Sequence, residues 1–226
     1  MPTGSSIQLL RVAGIRIGVS TSWFFVLFLF IWLLSERFQE ELIGSDTEAY
    51  LLAVAAALLF FASVVLHELG HALAARRSGI QVTGIDLWFF GGVAKMSRDS
   101  RTPKEELWVA VSGPIVTGLI IAVCLGLGVA LEGRQFTDAA LLEPQASASP
   151  AIVLLAFLAS INVALLIFNL IPAFPLDGGR IARAAAWKVT GDRTKATRFS
   201  GRAGLGFAYL LGGFGLYLML RGETFN

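Results

Sequence analysis

The stretch YLLAVAAALLFFASVVLHELGHALAARR, Tyr50 to Arg77, decides how this chain is read. Through Ala62 it is uncharged and apolar, the pattern of a helix solvated by lipid. Within the next few residues the same run takes on His67, Glu68 and His71, and it closes on Arg76 and Arg77. An uncompensated charge near the centre of a bilayer costs at least about 2.5 kcal/mol. Three ionisable groups in such a helix therefore require a partner.

Hydrophobic residues make up 55% of the 226 and charged residues 15%, with a mean hydropathy of +0.71. A soluble domain of this size cannot bury that much apolar surface. Five segments approach or exceed the ~20 residues needed to span a bilayer: Ile17 to Leu34, Tyr50 to Ala75, Leu107 to Leu131, Ala151 to Leu176 and Ala203 to Leu220. The expected fold is an all-α polytopic membrane protein of five to six transmembrane helices. The opening MPTGSSIQLLRVAGIRI lacks the basic region, short apolar core and small-residue cleavage site of a secretory signal, so it is expected to be retained. Cys124 is the only cysteine. It excludes an intrachain disulfide and a cysteine metal cluster, and reads as a packing residue of the third span.

Orientation follows from lysine and arginine. Arg11 and Arg16 precede the first span; Arg76, Arg77, Lys95, Arg98, Arg101 and Lys104 lie between the second and third; Arg180, Arg183, Lys188, Arg193, Lys195, Arg198 and Arg202 lie between the fourth and fifth. All these loops face one side, which the positive-inside rule makes the cytoplasm. The opposite loops carry only Arg37 and Arg134. With an inside N-terminus, five spans send the C-terminal RGETFN outside, so a further span beyond it is a natural expectation.

Two segments are expected to be neither span nor loop. SIQLLRVAGIRIGVS and GIQVTGIDLWFFGGVAKMS carry β-branched residues in partial alternation broken by glycines. They predict short strands over 7–19 and a membrane-associated β-hairpin over 80–97, tolerated in lipid only where it lines a protein cavity. DGGRIARAAAWKVTGD predicts a short interfacial helix. No repeat, low-complexity tract or soluble domain interrupts the chain, which reads as one domain over 1–226.

On a helix, residues four apart share a face, so His67 and His71 can offer ring nitrogens to one ion while Glu68 projects beside them. This is the HExxH spacing of zinc peptidases: neutral imidazoles bind Zn²⁺, and the carboxylate accepts a proton from water acidified by the ion. His67 and His71 are the only histidines in the protein. A helix end whose polar groups reach back to the surface suits Arg76 and Arg77 better, since His67 lies nine residues deeper, ~14 Å at helical rise.

A catalytic zinc site uses three protein ligands and keeps one position for water. With no other histidine and no usable cysteine, the third is Asp or Glu. Asp177 ends INVALLIFNLIPAFPLDGGR, on a span that runs toward the same cytoplasmic half, and Pro172 and Pro175 are placed to interrupt the helix before it. A helix cap for the following GGRIARA segment is the other reading of Asp177, and the residues alone leave both open.

HELGH on an apolar helix, followed by NLIPAFPLDGG, resembles the site-2 protease family of intramembrane zinc metalloproteases, peptidase family M50. Asn169, Pro172, Leu176, Asp177 and Gly178 match its Asn-x-x-Pro-x-x-x-Leu-Asp-Gly signature. FFGGVA is similar to its membrane-embedded hairpin, and SGPIVTG to its Gly-Pro-x-x-Asn element, with Thr117 where Asn is common. The resemblance implies His67, His71 and Asp177 as ligands of one Zn²⁺ per chain and Glu68 as catalytic base. It also suggests Asn169 as an oxyanion or substrate contact, against which an interhelical hydrogen bond weighs equally; for Asn162 the hydrogen bond is favoured. Neither the PDZ insertion nor the CBS domains that some members carry is present, which suggests a shortened or minimal member.

The expected function is cleavage of a single-span membrane-protein substrate near the cytoplasmic face, in the plasma membrane of a prokaryote. N-terminus and active-site opening face the cytoplasm, the bilayer is the medium, and no nucleic-acid partner is implied. The substrate would unwind and pair as a strand with the hairpin near Gly91 to Val93. The alternative is a zinc transporter using the same His and Asp side chains, but the outer halves YLLAVAAALLFF and AIVLLAFLAS lack the polar line a transit path needs.

Overall fold

A computed structural model describes residues 6–41, 45–89, 91–133 and 149–221. The expectations for Arg134, Phe90 and the C-terminal RGETFN lie outside or at the edge of these residues. The elements are β1 Ile7–Val12, β2 Ile15–Val19, α1 Thr21–Glu41, α2 Asp46–Arg77, β3 Val82–Trp88, β4 Gly91–Met96, α3 Pro103–Glu132, α4 Pro150–Leu170, α5 Asp177–Thr190 and α6 Arg193–Arg221. All helices except α5 are long and apolar enough to cross a membrane. Five spanning helices with one small sheet make this an integral membrane protein.

The described residues fall into two compact units, those within 1–99 and 112–166 and those within 100–111 and 167–226. In the first, the four strands form one sheet in the order β1-β2-β3-β4. Ala13 and Gly14 take positive φ values of 49° and 77°, giving β1 and β2 the tight antiparallel turn their twist prefers. β2 then pairs parallel with β3, Ile17 opposite Ile85 and Val19 opposite Leu87. A parallel pair needs a crossover, and here the α1–α2 hairpin supplies it. Ile15, Ile17, Val19, Ile85 and Leu87 point inward at 0–2% exposure. The strands expected over 7–19 are present, and Ile17, also expected to open the first span, lies inside β2: its apolar character serves a sheet face, and the helix begins at Thr21.

α1 buries Trp23, Leu27, Ile31, Leu34 and Phe38, spaced as one helical stripe. It lies on an alanine-rich face of α2, where Ala49, Ala53, Ala56 and Ala57 let the backbones approach. Lipid tails are as apolar as leucine, so this contact rests on packing rather than on escape from water. Trp23 and Phe61 meet edge-on, with ring centroids 5.2 Å apart. At the start of α2, Ser45 and Glu48 form a reciprocal capping box; Arg76 and Arg77 occupy its last turn, where the helix dipole favours cations. Cys124 packs with Leu158 and Ala159, the role the sequence assigned it.

In the second unit α5 and α6 are antiparallel neighbours in sequence, joined where the Ser200 hydroxyl donates to the Gly179 carbonyl over 2.7 Å. Glu106, 1% exposed, accepts from Arg180 at 3.2 Å and Arg183 at 2.6 Å. α4 ends at Leu170 rather than Leu176. Residues 171–176 fold in turns around Pro172 and Pro175, so the interruption before Asp177 is present as expected.

Candidate active site

His67 and His71 stand one turn apart on α2, each 4% exposed. Their rings meet at 81° with centroids 4.8 Å apart, and the two Nε2 atoms are 3.1 Å from each other. Two lone pairs this close repel unless a proton or a cation lies between them. A tetrahedral Zn²⁺, ~2.0–2.1 Å from each ring nitrogen, sets such a pair roughly 3.3 Å apart, so the observed spacing fits. His67 Nδ1, on the far side of its ring, lies 2.9 Å from the Thr117 hydroxyl of α3.

Glu68 is half-buried and passes directly over Gly92 of β4. A Cβ at Gly92 would sit 2.4 Å from Glu68 Cγ, 3.1 Å from Cδ and 3.3 Å from Oε1. Only the missing side chain of Gly92 leaves room for the carboxylate where it is. On α3, Gly113 has a comparable place: a Cβ there would lie 2.2 Å from His71 Nε2 and 2.8 Å from His67 Nε2. Sequence reasoning saw both glycines as breaks or as motif letters. Their steric role becomes visible only when strands and helices are brought together.

Asp177 is the first residue of α5 and is 7% exposed. The N-cap position falls on Leu176, and Asp177 is the acidic residue of the first turn, where the helix dipole also favours a carboxylate. The chain turns so tightly into α5 that a Cβ at Gly178 would stand 2.2 Å from the Leu170 carbonyl oxygen. Among the described residues, His67, His71 and Asp177 are a buried group able to hold a metal ion, their ligand atoms all within 4.8 Å of one another. Two imidazoles and a carboxylate are the donor chemistry of a hydrolytic zinc centre.

Asn169 is half-buried and is the next-to-last residue of α4. Asn162, fully buried, donates from its amide nitrogen to the Leu158 carbonyl over 2.8 Å, within its own helix rather than across to another. Its Oδ1 has no partner among the described residues.

On the outward face of the sheet, Asp86 pairs with Lys95, and Arg16 lies 3.9 Å away. Partial burial works against the Asp86 charge, but the hydrogen bonds from Lys95 and Ser6 and the two cations prevail and hold its carboxyl below the usual range.

Comparison with known proteins adds an independent line. A model of peptidase family M50 matches residues 55–212. Rip3 of Mycobacterium tuberculosis, named provisionally as a zinc metalloprotease, is 36% identical over 214 residues, covering 93% of this chain and 51% of its own. A Synechocystis protein with the same provisional name is 35% identical over 206 residues, covering 91% and 51%. The chain spans about half the length of these curated relatives. The solved structure of a site-2 protease from Methanocaldococcus jannaschii matches with a TM-score of 0.62 at 32% identity, covering 95% of this chain and 87% of that one.

Proposed function

The chain belongs to peptidase family M50, and from that premise we propose that it is an intramembrane zinc endopeptidase cleaving a transmembrane segment of a single-span membrane protein near the cytoplasmic face. The observation that carries the proposal is the buried His67, His71 and Asp177 group with Glu68 next to its first ligand on the same helix. His67, His71 and Asp177 hold one Zn²⁺ per chain. Bound there, the ion supplies Lewis acidity toward water and the scissile carbonyl.

The protein's own groups do the rest. Glu68, kept in place over Gly92, accepts the proton of the attacking water and returns it to the leaving amine. Asn169 donates amide N–H to the developing oxyanion without adding a charge to desolvate. A helical substrate shields its peptide bonds, so it must unwind before attack. β4 is one of the two edge strands of the sheet, and its Gly91 to Val93 segment offers backbone donors and acceptors to an added substrate strand with little demand on sequence. The whole of 1–226 acts as one protease core, with the N-terminus and the site opening on the cytoplasmic side of a prokaryotic plasma membrane.

The test pairs metal analysis of purified protein with cleavage of a model single-span substrate. Wild type carries about one zinc and cleaves, chelation stops cleavage and added Zn²⁺ restores it, and Glu68→Gln retains zinc but does not cleave. Normal cleavage by Glu68→Gln refutes the assignment. Zinc flux into proteoliposomes that persists in Glu68→Gln would establish the transporter reading instead.

A further inference from the structure

Metal-binding imidazoles need more than position. A neutral ring carries one N–H and one lone pair, and a ligand is competent only if the pair is on the nitrogen facing the ion. For His67 the nitrogen facing its partner ligand is Nε2, 3.1 Å from His71 Nε2. Nδ1 must then hold the proton, and a buried N–H needs an acceptor. Thr117 Oγ1 is 2.9 Å away, on a residue that is 0% exposed.

We propose that Thr117 is a positioning residue for His67: its hydroxyl oxygen accepts the Nδ1–H hydrogen bond, selecting the tautomer and ring orientation that present Nε2 to zinc. The inference rests on the reading of His67 and His71 as zinc ligands and deepens it. Two further features support it. Gly113 and Thr117 are four apart on α3, so they share the face that runs along His67 and His71, themselves four apart on α2. Gly113 leaves the Nε2 side clear, where a Cβ would come within 2.2 Å of His71 Nε2, while Thr117 holds the Nδ1 side of His67. The helices can approach this closely because Gly70 lies against the α3 backbone; a Cβ there would be 2.8 Å from the Ser112 carbonyl oxygen. A helical threonine hydroxyl commonly turns back to its own helix. Here its oxygen meets a ring on the facing helix. With the two backbones this close, the short threonine side chain reaches the ring.

The experiment exploits the presence of only two histidines. The full chain, ¹⁵N-labelled at histidine and reconstituted in nanodiscs, is made metal-free and recorded at alkaline pH, with His71→Gln as the assignment aid. The expected wild-type spectrum shows His67 as the Nδ1–H tautomer. Thr117→Val, nearly isosteric, is expected to populate the Nε2–H form and to weaken zinc binding, measured by chelator competition, by roughly 10–100-fold. Thr117→Ser is expected to keep the wild-type tautomer and affinity within about threefold. A Thr117→Val protein with wild-type tautomer and zinc affinity overturns the proposal; Thr117→Ala, read the same way, decides the matter if the valine variant does not fold. Failure of wild type to bind zinc at all refutes the zinc site itself, an outcome separate from the tautomer of the metal-free protein.

Discussion

Gly92→Ala isolates the placement of Glu68, the proposed catalytic base, from its presence. The added methyl would stand 2.4 Å from Glu68 Cγ, whereas carbon atoms in contact rest about 3.5–4.0 Å apart. One of the two must therefore yield by more than about 1 Å. β4 is tied to β3 along its length, with Leu87 opposite Gly92 and Asp86 opposite Val93, so the flexible Glu68 side chain gives way. An off-rotamer χ angle costs about 0.5–1.5 kcal/mol, small enough for the fold to survive. Catalysis is less forgiving, since a misplacement of ~1 Å can lower a rate about 100-fold. Turnover of a single-span substrate in proteoliposomes is expected to fall by about that factor, with zinc content and melting temperature close to wild type. Wild-type turnover refutes the reasoning, because Glu68 would then not act from its place over Gly92. Loss of zinc in parallel with activity refutes it differently, by making Gly92 a support of the metal ligands.

Two further outcomes concern stability. Glu106→Ala strands Arg180 and Arg183 beside a buried space, and removing one partner of such a group costs roughly 3–5 kcal/mol; thermal unfolding in detergent checks it, and an unchanged melting temperature refutes it. For Asp86 the folded-state carboxyl titrates below its unfolded value of about 3.9, so its stabilisation is present above that pH and is lost as pH falls through the folded value. Asp86→Asn is therefore expected to melt below wild type at neutral pH and to converge with it in acid; a difference that persists or grows on acidification contradicts the assignment.

Much of this protein is local and therefore legible in the chain. Lipid forces every spanning segment to satisfy its own backbone and present apolar side chains, so α2, α3, α4 and α6 announce themselves by length and composition alone. HELGH is equally local, because helical geometry turns a spacing of four into a shared face. Even the break before Asp177 follows from Pro172 and Pro175, which cannot continue a helix hydrogen-bond ladder.

What the chain does not display is which distant backbones touch. Residues 17–19 carry no charge and run on into the apolar span that follows them, so the boundary between strand and helix is not legible there, and only pairing with β3 draws it. Gly92 and Gly113 carry no pattern that marks one as room for Glu68 and the other as room for two imidazoles. Thr117 looks like a departure from a motif until α3 lies against α2 and its hydroxyl meets His67. Sequence alone determined the membrane class, the spans and the residue types of the candidate metal group, since these obey short-range rules of period, hydropathy and backbone chemistry. Tertiary structure alone decided the order and register in which the expected strands pair, the glycine clearances and the imidazole's hydrogen-bond partner, because each depends on close approach between segments that nothing nearby in the chain encodes.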